Sequence, residues 1–480
     1  MLNFDELLRS QANMHPHELA FADEIHDVTF FQLNSFARKI ANILMQLGVR
    51  QGDVVCTALP TYPGWVVTLS LHLLGVTTMS RGEGLLLSAG FSPDWLITFQ
   101  PDQQFPMQKT VIFDEAFLRR INASDEIDVA PGYASSTSLA RFFTTSGTTG
   151  ERKFIAFSLD ELDLWAKQPS SYPMVGEPNL FCLFPFGGAL SYKTTLASLK
   201  NGNPALVWGH SNHRLSETFT KFPIRTIVGS PLQVSKFLEL QRSIGYRFPE
   251  LRTVILTGSP PSMKLLENLH LDAECKIFDG FGSTEAGNVT IREITDGISG
   301  GALINSSADV QIVDENDLVL PLMQTGRIRY KKPGMATSYY KNPVASAEFF
   351  KDGYFYPGDL GYIDEAGLLV LCGRVNEVIN LGGVKINPEK VDEVALAQLG
   401  VLDCASFAVS DASGVEQLGI ALVTDGDFDL ELFTKAMASK SPANPSVIKQ
   451  VGAIARNDNG KVVRGDLSAQ ISTFKGDNPG

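Results

Sequence analysis

Apolar positions along the chain fall into short runs that alternate with spaced ladders. The runs Leu180 to Phe186, Ala205 to Trp208, Thr226 to Val228 and Thr253 to Leu256 read as buried strands, and apolar residues recur with helical period between them. That alternation predicts an α/β architecture. One helix is expected to open at Ser158, where Glu161 completes an S-x-x-E capping box and Leu159, Leu162 and Trp165 share a face. Another is expected from Asn387, the cap, with Pro388 in its first turn, carrying Val391, Val394 and Leu399 inward and stopping at Gly400. No internal repeat stands out, and the tail after Phe474 reads as frayed.

A chain of 480 residues, 44% of them hydrophobic, exceeds the length over which one core keeps growing, so at least two domains are expected. The boundary is placed at Gly373-Arg374-Val375-Asn376, giving domains 1–375 and 376–480. Forty Lys and Arg against 53 Asp and Glu leave a net charge of −13, which repels a phosphate backbone, so nucleic acid is not the expected partner. Five scattered cysteines contain no C-x-x-C pair and seven histidines no H-E-x-x-H, so any metal is expected on oxygen ligands. The start of the chain is acidic and mixed, and no apolar stretch is long enough to cross a bilayer. A cytoplasmic protein is expected.

Chemistry concentrates in Phe143-Thr-Thr-Ser-Gly-Thr-Thr-Gly-Glu-Arg-Lys153. Gly147 and Gly150 let backbone approach a ligand, the hydroxyls of Thr145, Ser146, Thr148 and Thr149 add donors, and Lys153 adds a cation. Polyphosphate suits such a loop, although a Ser/Thr/Gly surface loop would have the same composition. It is neither a G-x-x-x-x-G-K-[ST] loop nor a G-x-G-x-x-G dinucleotide fingerprint.

With its downstream segments, this loop resembles the signature of the adenylate-forming superfamily of acyl- and aryl-CoA synthetases, luciferase and nonribosomal peptide synthetase adenylation domains. Gly280-Phe-Gly-Ser-Thr-Glu-Ala-Gly287 is similar to the family's aromatic-Gly-x-Thr-Glu motif, Tyr356-Pro-Gly-Asp359 to its Gly-Asp motif, Gly373-Arg374-Val-Asn to its hinge, and Asn457-Asp-Asn-Gly-Lys461 to its terminal lysine motif. The resemblance also reaches upstream through Val28 to Leu33 and Gly48 to Val55. It implies a large N-terminal domain of packed α/β subdomains with a small β-rich subdomain, followed by a mobile small α+β domain.

The implied roles follow the charge of the reaction. A carboxylate attacking the α-phosphorus of ATP is an anion meeting an anion, so cationic groups must stand where charge builds. The resemblance assigns this to Lys461, with Thr284 donating to the α-phosphate and Glu285 holding Mg²⁺. Asp359 would accept from the ribose hydroxyls, and Arg374 would reach ribose or phosphate. Gly280, Phe281 and Gly282 would cover adenine from one side and Ser259 from the other. Asn376 would be the hinge, where relatives carry Asp or Lys. Gly382 and Gly383 would lie along a pantetheine arm.

The acyl pocket is expected from Phe186, Gly188, Ala189, Gly229, Thr257 and Asn288, a mainly small and apolar set that suits an uncharged acyl or aryl tail. The family's Pro-x-x-His element reads Pro185-Phe-Gly-Gly188 here, without its histidine, and Ala189 stands where amino-acid activators place an aspartate. An α-amino acid is therefore not the expected substrate. The implied function is activation of a carboxylic acid as acyl-AMP with release of pyrophosphate, then transfer to the thiol of CoA. Two alternatives are loading onto the phosphopantetheine of an acyl carrier protein and a non-catalytic relative that binds nucleotide or acyl ligand.

Overall fold

The computed structural model describes residues 2–81, 92–102, 105–145, 153–167, 179–208, 221–272, 274–295, 300–381, 384–410, 416–456, 462–464 and 467. Within them, one sheet runs in the order Thr110–Ile112, Trp95–Thr98, Val54–Ala58, Thr77–Ser80, Leu139–Thr145, Lys153–Ser158. All neighbours are parallel except the last pair, an antiparallel hairpin. Consecutive residues Val55 and Cys56, and Leu96 and Ile97, are all buried. Consecutive strand side chains point to opposite faces, so both faces of this sheet are covered.

A second sheet supplies the ligand-facing edge. Its parallel centre, in order, is Leu19–Ala22, Ala205–Val207, Leu180–Cys182, Thr226–Gly229, Thr253–Thr257 and Lys276–Ser283, with antiparallel strands at both borders. The runs seen in the sequence are its strands, with two trimmed: the Ala205 strand ends at Val207, and the Leu180 strand ends at Cys182, before Pro185, which has no N–H to donate. Parallel strands deliver their carboxyl ends to one side, the usual place for a ligand in an α/β sheet. Here the segments Gly229-Ser230, Thr257-Gly258 and Gly282-Ser283 collect there.

An antiparallel unit built from Asp309–Val313, Gly326–Lys331, Phe350–Lys351, Tyr354–Phe355, Asp359–Ile363 and Leu369–Arg374 follows. After a single 3-10 turn, Val375–Glu377, the chain forms the hairpin Ile379–Leu381/Val384–Ile386, helices Pro388–Leu396 and Leu430–Lys440, and a sheet of Val401–Ser410, Glu416–Thr424 and Val447–Gln450. Ile379, Val391, Ala395, Ile420, Phe433 and Met437 pack together there, all from beyond that turn.

The capping box at Ser158 is present, and Leu159, Leu162 and Trp165 are buried as the spacing required. Asn387 caps the later helix, but that helix stops at Leu396, so Leu399 is exposed and Gly400 turns the chain into the next strand at φ +78°. Asp392 and Ala395 occupy the buried face in its place, because Asp392 is drawn in by the Arg464 guanidinium at 2.8 Å. All five cysteines are free thiols. Among the described residues, no helix is long and apolar enough to cross a membrane.

Candidate active site

The two ends of the Thr/Ser/Gly loop are fixed by strand pairing, since Thr145 lies opposite Lys153 in the antiparallel hairpin. Ser146, Gly147, Thr148, Thr149 and Gly150 lie outside the described residues, as do Gly382, Gly383 and Lys461. Lys153 carries its ammonium over the Phe349 ring at 4.3 Å and the Tyr339 ring at 5.3 Å, a cation–π seat that aims it toward the next motif.

That motif is a tight hairpin between Lys276–Ser283 and Gly287–Glu293. A Cβ on Gly282 would stand 2.3 Å from the Gly287 carbonyl oxygen, so only glycine lets the strands close. Ser283 Oγ accepts from the Ala286 amide at 3.2 Å and holds the turn that presents Thr284 and Glu285. Glu285 is buried, and the Tyr339 hydroxyl donates to its Oε1 at 2.7 Å. The Glu285 carbonyl also takes the Ala336 amide at 2.7 Å, so the segment carrying Tyr339 is stapled to the hairpin. Burial pushes the Tyr339 hydroxyl far above its ordinary range, and the Glu285 carboxyl adds to the shift, so Tyr339 stays a donor.

Tyr330 ties this hairpin to the ribose-binding candidates. Its hydroxyl donates to Ser283 Oγ at 3.1 Å, its ring meets Phe281 edge-on, and its own ionisation is suppressed by burial and then by the fields of Glu285 and Asp359. Asp359 and Arg374 are register partners on neighbouring strands, with Arg374 Nε donating to Asp359 Oδ1 at 3.0 Å. Burial alone would lower the Arg374 guanidinium, but Asp359, Glu377 and Glu389 outweigh it and hold it above its ordinary value. The sequence motifs therefore converge: Lys153, Glu285, Asp359 and Arg374 surround the pair Tyr330 and Tyr339. Neither tyrosine was picked out from the sequence, where the chemical signal lay in the charged partners they hold.

The acyl-side candidates form the neighbouring wall. Thr257 donates from Oγ1 to the Gly280 carbonyl at 2.7 Å, and Asn288 donates from Nδ2 to the carbonyls of Phe281 at 3.2 Å and Thr290 at 3.0 Å. Gly229 is packed against Leu183 and Val234. Phe186 meets Trp65 edge-on at 5.8 Å. Gly187 sits at φ +107° with its missing Cβ against Ser80, so the turn requires glycine there. Gly188 caps the helix Ala189–Lys200, and a Cβ on it would find ordinary spacing, 3.5 Å from the Pro185 carbonyl, so the lost histidine leaves room.

Asn376 lies in the 3-10 turn Val375–Glu377, and Gly373, just before it, takes a φ of +110°. Asn387 Nδ2 donates to the Cys372 carbonyl at 2.7 Å, where a Cβ on Gly373 would collide with it. Ser259 follows the strand Thr253–Thr257 in a half-buried bend.

The donor set suits a magnesium ion in one respect. Mg²⁺ takes one or two protein carboxylates and completes its shell with substrate phosphates and water. Among the described residues no group of three or more His, Cys, Asp or Glu could hold an ion by itself, and Glu285 is a buried carboxyl bonded to Tyr339, whose ring Lys153 overlies.

A profile of a family described as AMP-binding enzyme matches residues 8–70 and 94–340, more than half of the chain. A 2-succinylbenzoate–CoA ligase of Listeria innocua is 26% identical over 492 aligned positions, covering 97% of this chain and 99% of that protein. The human mitochondrial acyl-coenzyme A synthetase ACSM2A is 24% identical, covering 85% of this chain and 77% of that protein. The fold matches the O-succinylbenzoate coenzyme A synthetase of Bacillus subtilis in complex with ATP and magnesium ion, with a TM-score of 0.82, 21% identity and coverage of 96% and 99%. It also matches an anthranilate CoA ligase in complex with anthranoyl-AMP, with a TM-score of 0.84, 18% identity and coverage of 98% and 97%.

Proposed function

This chain belongs to the AMP-binding enzyme family, and from that premise we propose that it is an AMP-forming acid–CoA ligase. A carboxylate oxygen attacks the α-phosphorus of ATP, the bond to the bridging oxygen of pyrophosphate breaks, and acyl-AMP forms. The CoA sulfur then attacks the acyl carbonyl as its thiol proton is lost, and AMP leaves. The observation that carries this reading is the convergence of Lys153 and Glu285 on Tyr339, with Asp359 and Arg374 reaching the same hairpin through Tyr330.

Thr145 to Gly150 and Lys153 grip the β- and γ-phosphates, Thr284 donates to the α-phosphate, and Lys461 neutralises charge at the reacting centre. Glu285 would hold Mg²⁺, which supplies positive charge to the phosphate oxygens. Asp359, held in place by Arg374, accepts from the ribose hydroxyls. Phe281 and Ser259 flank adenine, and Gly382 and Gly383 line the pantetheine arm. The division at 375/376, with Asn376 as pivot, lets residues 376–480 withdraw Lys461 before the thiol arrives. The compartment is the cytoplasm, which suits five free thiols. The net charge of −13 argues against a nucleic-acid partner.

The test is ATP–pyrophosphate exchange over a panel of aliphatic and aryl acids, with acyl-CoA formation followed in parallel. Lys461→Ala is expected to lower exchange by about 10²- to 10³-fold while ATP binding survives. Exchange unchanged in that variant would remove Lys461 from the chemistry. Adenylate that never becomes acyl-CoA would move the acceptor to a carrier protein.

A further inference from the structure

One arginine that none of the motifs contain lies wholly inside the molecule. Arg141 is on the strand Leu139–Thr145, which leads into the Thr/Ser/Gly loop, and it is 0% exposed. Its Nη1 donates to Thr78 Oγ1 at 3.1 Å and its Nη2 to Ser80 Oγ at 2.7 Å, both on the neighbouring parallel strand. The guanidinium carbon stands 4.6 Å from the centre of the Tyr192 ring and 5.3 Å from that of Phe143. Burial draws Arg141 down to about 10, the groups acting against that are Tyr192, Cys56 and Tyr133 rather than any carboxylate, and its Nε is buried without an acceptor.

The neighbouring ring groups answer each other. Tyr133 donates to the Val76 carbonyl at 2.8 Å, so it accepts from His72 Nδ1, which leaves His72 Nε2 to accept from the Tyr192 hydroxyl at 2.7 Å. Ser80 is different. A hydroxyl has one hydrogen and two lone pairs, and Arg141 takes a lone pair. Among the described residues the hydrogen finds only Thr57 Oγ1 at 3.4 Å, beyond a normal O–H···O separation, and Thr57 is itself a donor to the Met79 carbonyl at 3.2 Å. Ser80 ends the strand Thr77–Ser80 at the carboxyl edge of the parallel sheet and is half-buried. It touches the turn Phe186-Gly187-Gly188, where a Cβ on Gly187 would stand 2.7 Å from Ser80 Cβ. Phe186 and Gly188, on either side of that contact, are acyl-pocket positions. The protein therefore presents one hydroxyl hydrogen there, polarised by the cation behind it.

We infer that Ser80, backed by Arg141, determines specificity in the acyl pocket by donating a hydrogen bond to an uncharged oxygen, oxo or hydroxy, on the tail of the acid. This rests on the ligase reading above, and it refines the uncharged tail that the pocket positions suggested. A single hydroxyl satisfies a neutral oxygen, whereas a carboxylate taken out of water needs several donors and the guanidinium itself is enclosed. A pure hydrocarbon tail would leave the Ser80 hydrogen facing apolar surface.

The experiment uses the full chain and two readouts, calorimetric binding of the acid and ATP–pyrophosphate exchange. The probes are hexanoates and octanoates with one oxo or hydroxy group at successive positions, with acetylbenzoates and hydroxybenzoates, each paired with the parent acid that lacks the oxygen. The expected result is a preference of at least about tenfold in Kd and KM for some oxygenated acid over its parent. Ser80→Ala is expected to erase it by weakening the oxygenated acid to the level of the parent. Thr57→Val, which removes the competing acceptor and keeps Ser80, is expected to retain it, and its loss there overturns the inference. A Ser80 hydroxyl that only satisfies Arg141 would, on conversion to Ala, lower Tm and weaken both acids of each pair alike, which overturns it too. So does a wild-type enzyme that favours no oxygenated acid over its parent, a result that needs no variant to fold; exchange with the parent acids would still leave the ligase reading standing. A binding preference that depends on Ser80 without exchange for any acid would uphold the subsite and sink the ligase reading.

Discussion

Glu285 and Lys332 are buried to nearly the same degree, 6% and 7% exposed, and sit in segments stapled to each other through Ala336 and the Glu285 carbonyl. Their surroundings differ in kind. The Glu285 carboxyl meets a phenol donor, Tyr339, and along the same wall Asp359 meets Arg374. Lys332 meets one backbone carbonyl, and the next buried charge along that wall is a second cation. A wall whose groups are already answered within the protein is preorganised for a ligand common to every turnover, and ATP is such a ligand.

The nucleotide wall can be broken first, and with the largest effect. Glu285→Gln keeps volume and the acceptor for Tyr339 but removes the negative charge proposed to hold Mg²⁺, so exchange is expected to fall by about 10²- to 10³-fold with Tm within a few degrees of wild type. A drop shared by Tm and activity would mean that Glu285 serves the fold. Tyr339→Phe removes the donor and leaves the carboxyl unoriented, at an expected loss of about tenfold in kcat with the KM of the acid unchanged. The two substitutions act on one unit, so the double variant should lose little more than Glu285→Gln alone. Additive losses would separate Tyr339 from the metal site and blur the contrast between the walls.

How far the sequence revealed each wall follows from the same physics. That these motifs would meet was legible because their residues announce themselves locally: glycines where strands must close, as at Gly282, and charged residues in fixed spacing, as in Thr284-Glu285 and Gly358-Asp359. The capping box at Ser158 was legible for the same reason, being written in four consecutive residues. Lys193 and Lys332 were silent because a lone lysine in a helix or after a strand is ordinarily solvated, and only the packing of Trp165, Gly334 and Asn288 brings them inside. Tyr330 and Tyr339 were silent too, since their partners lie 47 and 54 residues away. Leu399 misled because the helical ladder was carried one turn too far, past the end of the helix at Leu396.

The acyl wall gives the smallest and most diagnostic effect, in stability. Lys193 has an ordinary value of 10.5 and a folded value of about 7, the shift coming first from burial and then from Lys332. Below about pH 7 both folded and unfolded chains hold the proton, and the folded state carries the full cost of the buried charge. Between 7 and 10.5 the unfolded chain holds a proton that the folded chain has released, so this group makes stability rise with pH. Lys193→Met has no such proton, and Lys332 is common to both proteins. The variant should therefore be the more stable one at pH 6, by an amount on the order of 2 kcal/mol, with the gap narrowing steadily toward pH 9. Thermal melts of both proteins across that range measure it. A gap that stays constant or widens would show that Lys193 is not a buried cation in solution.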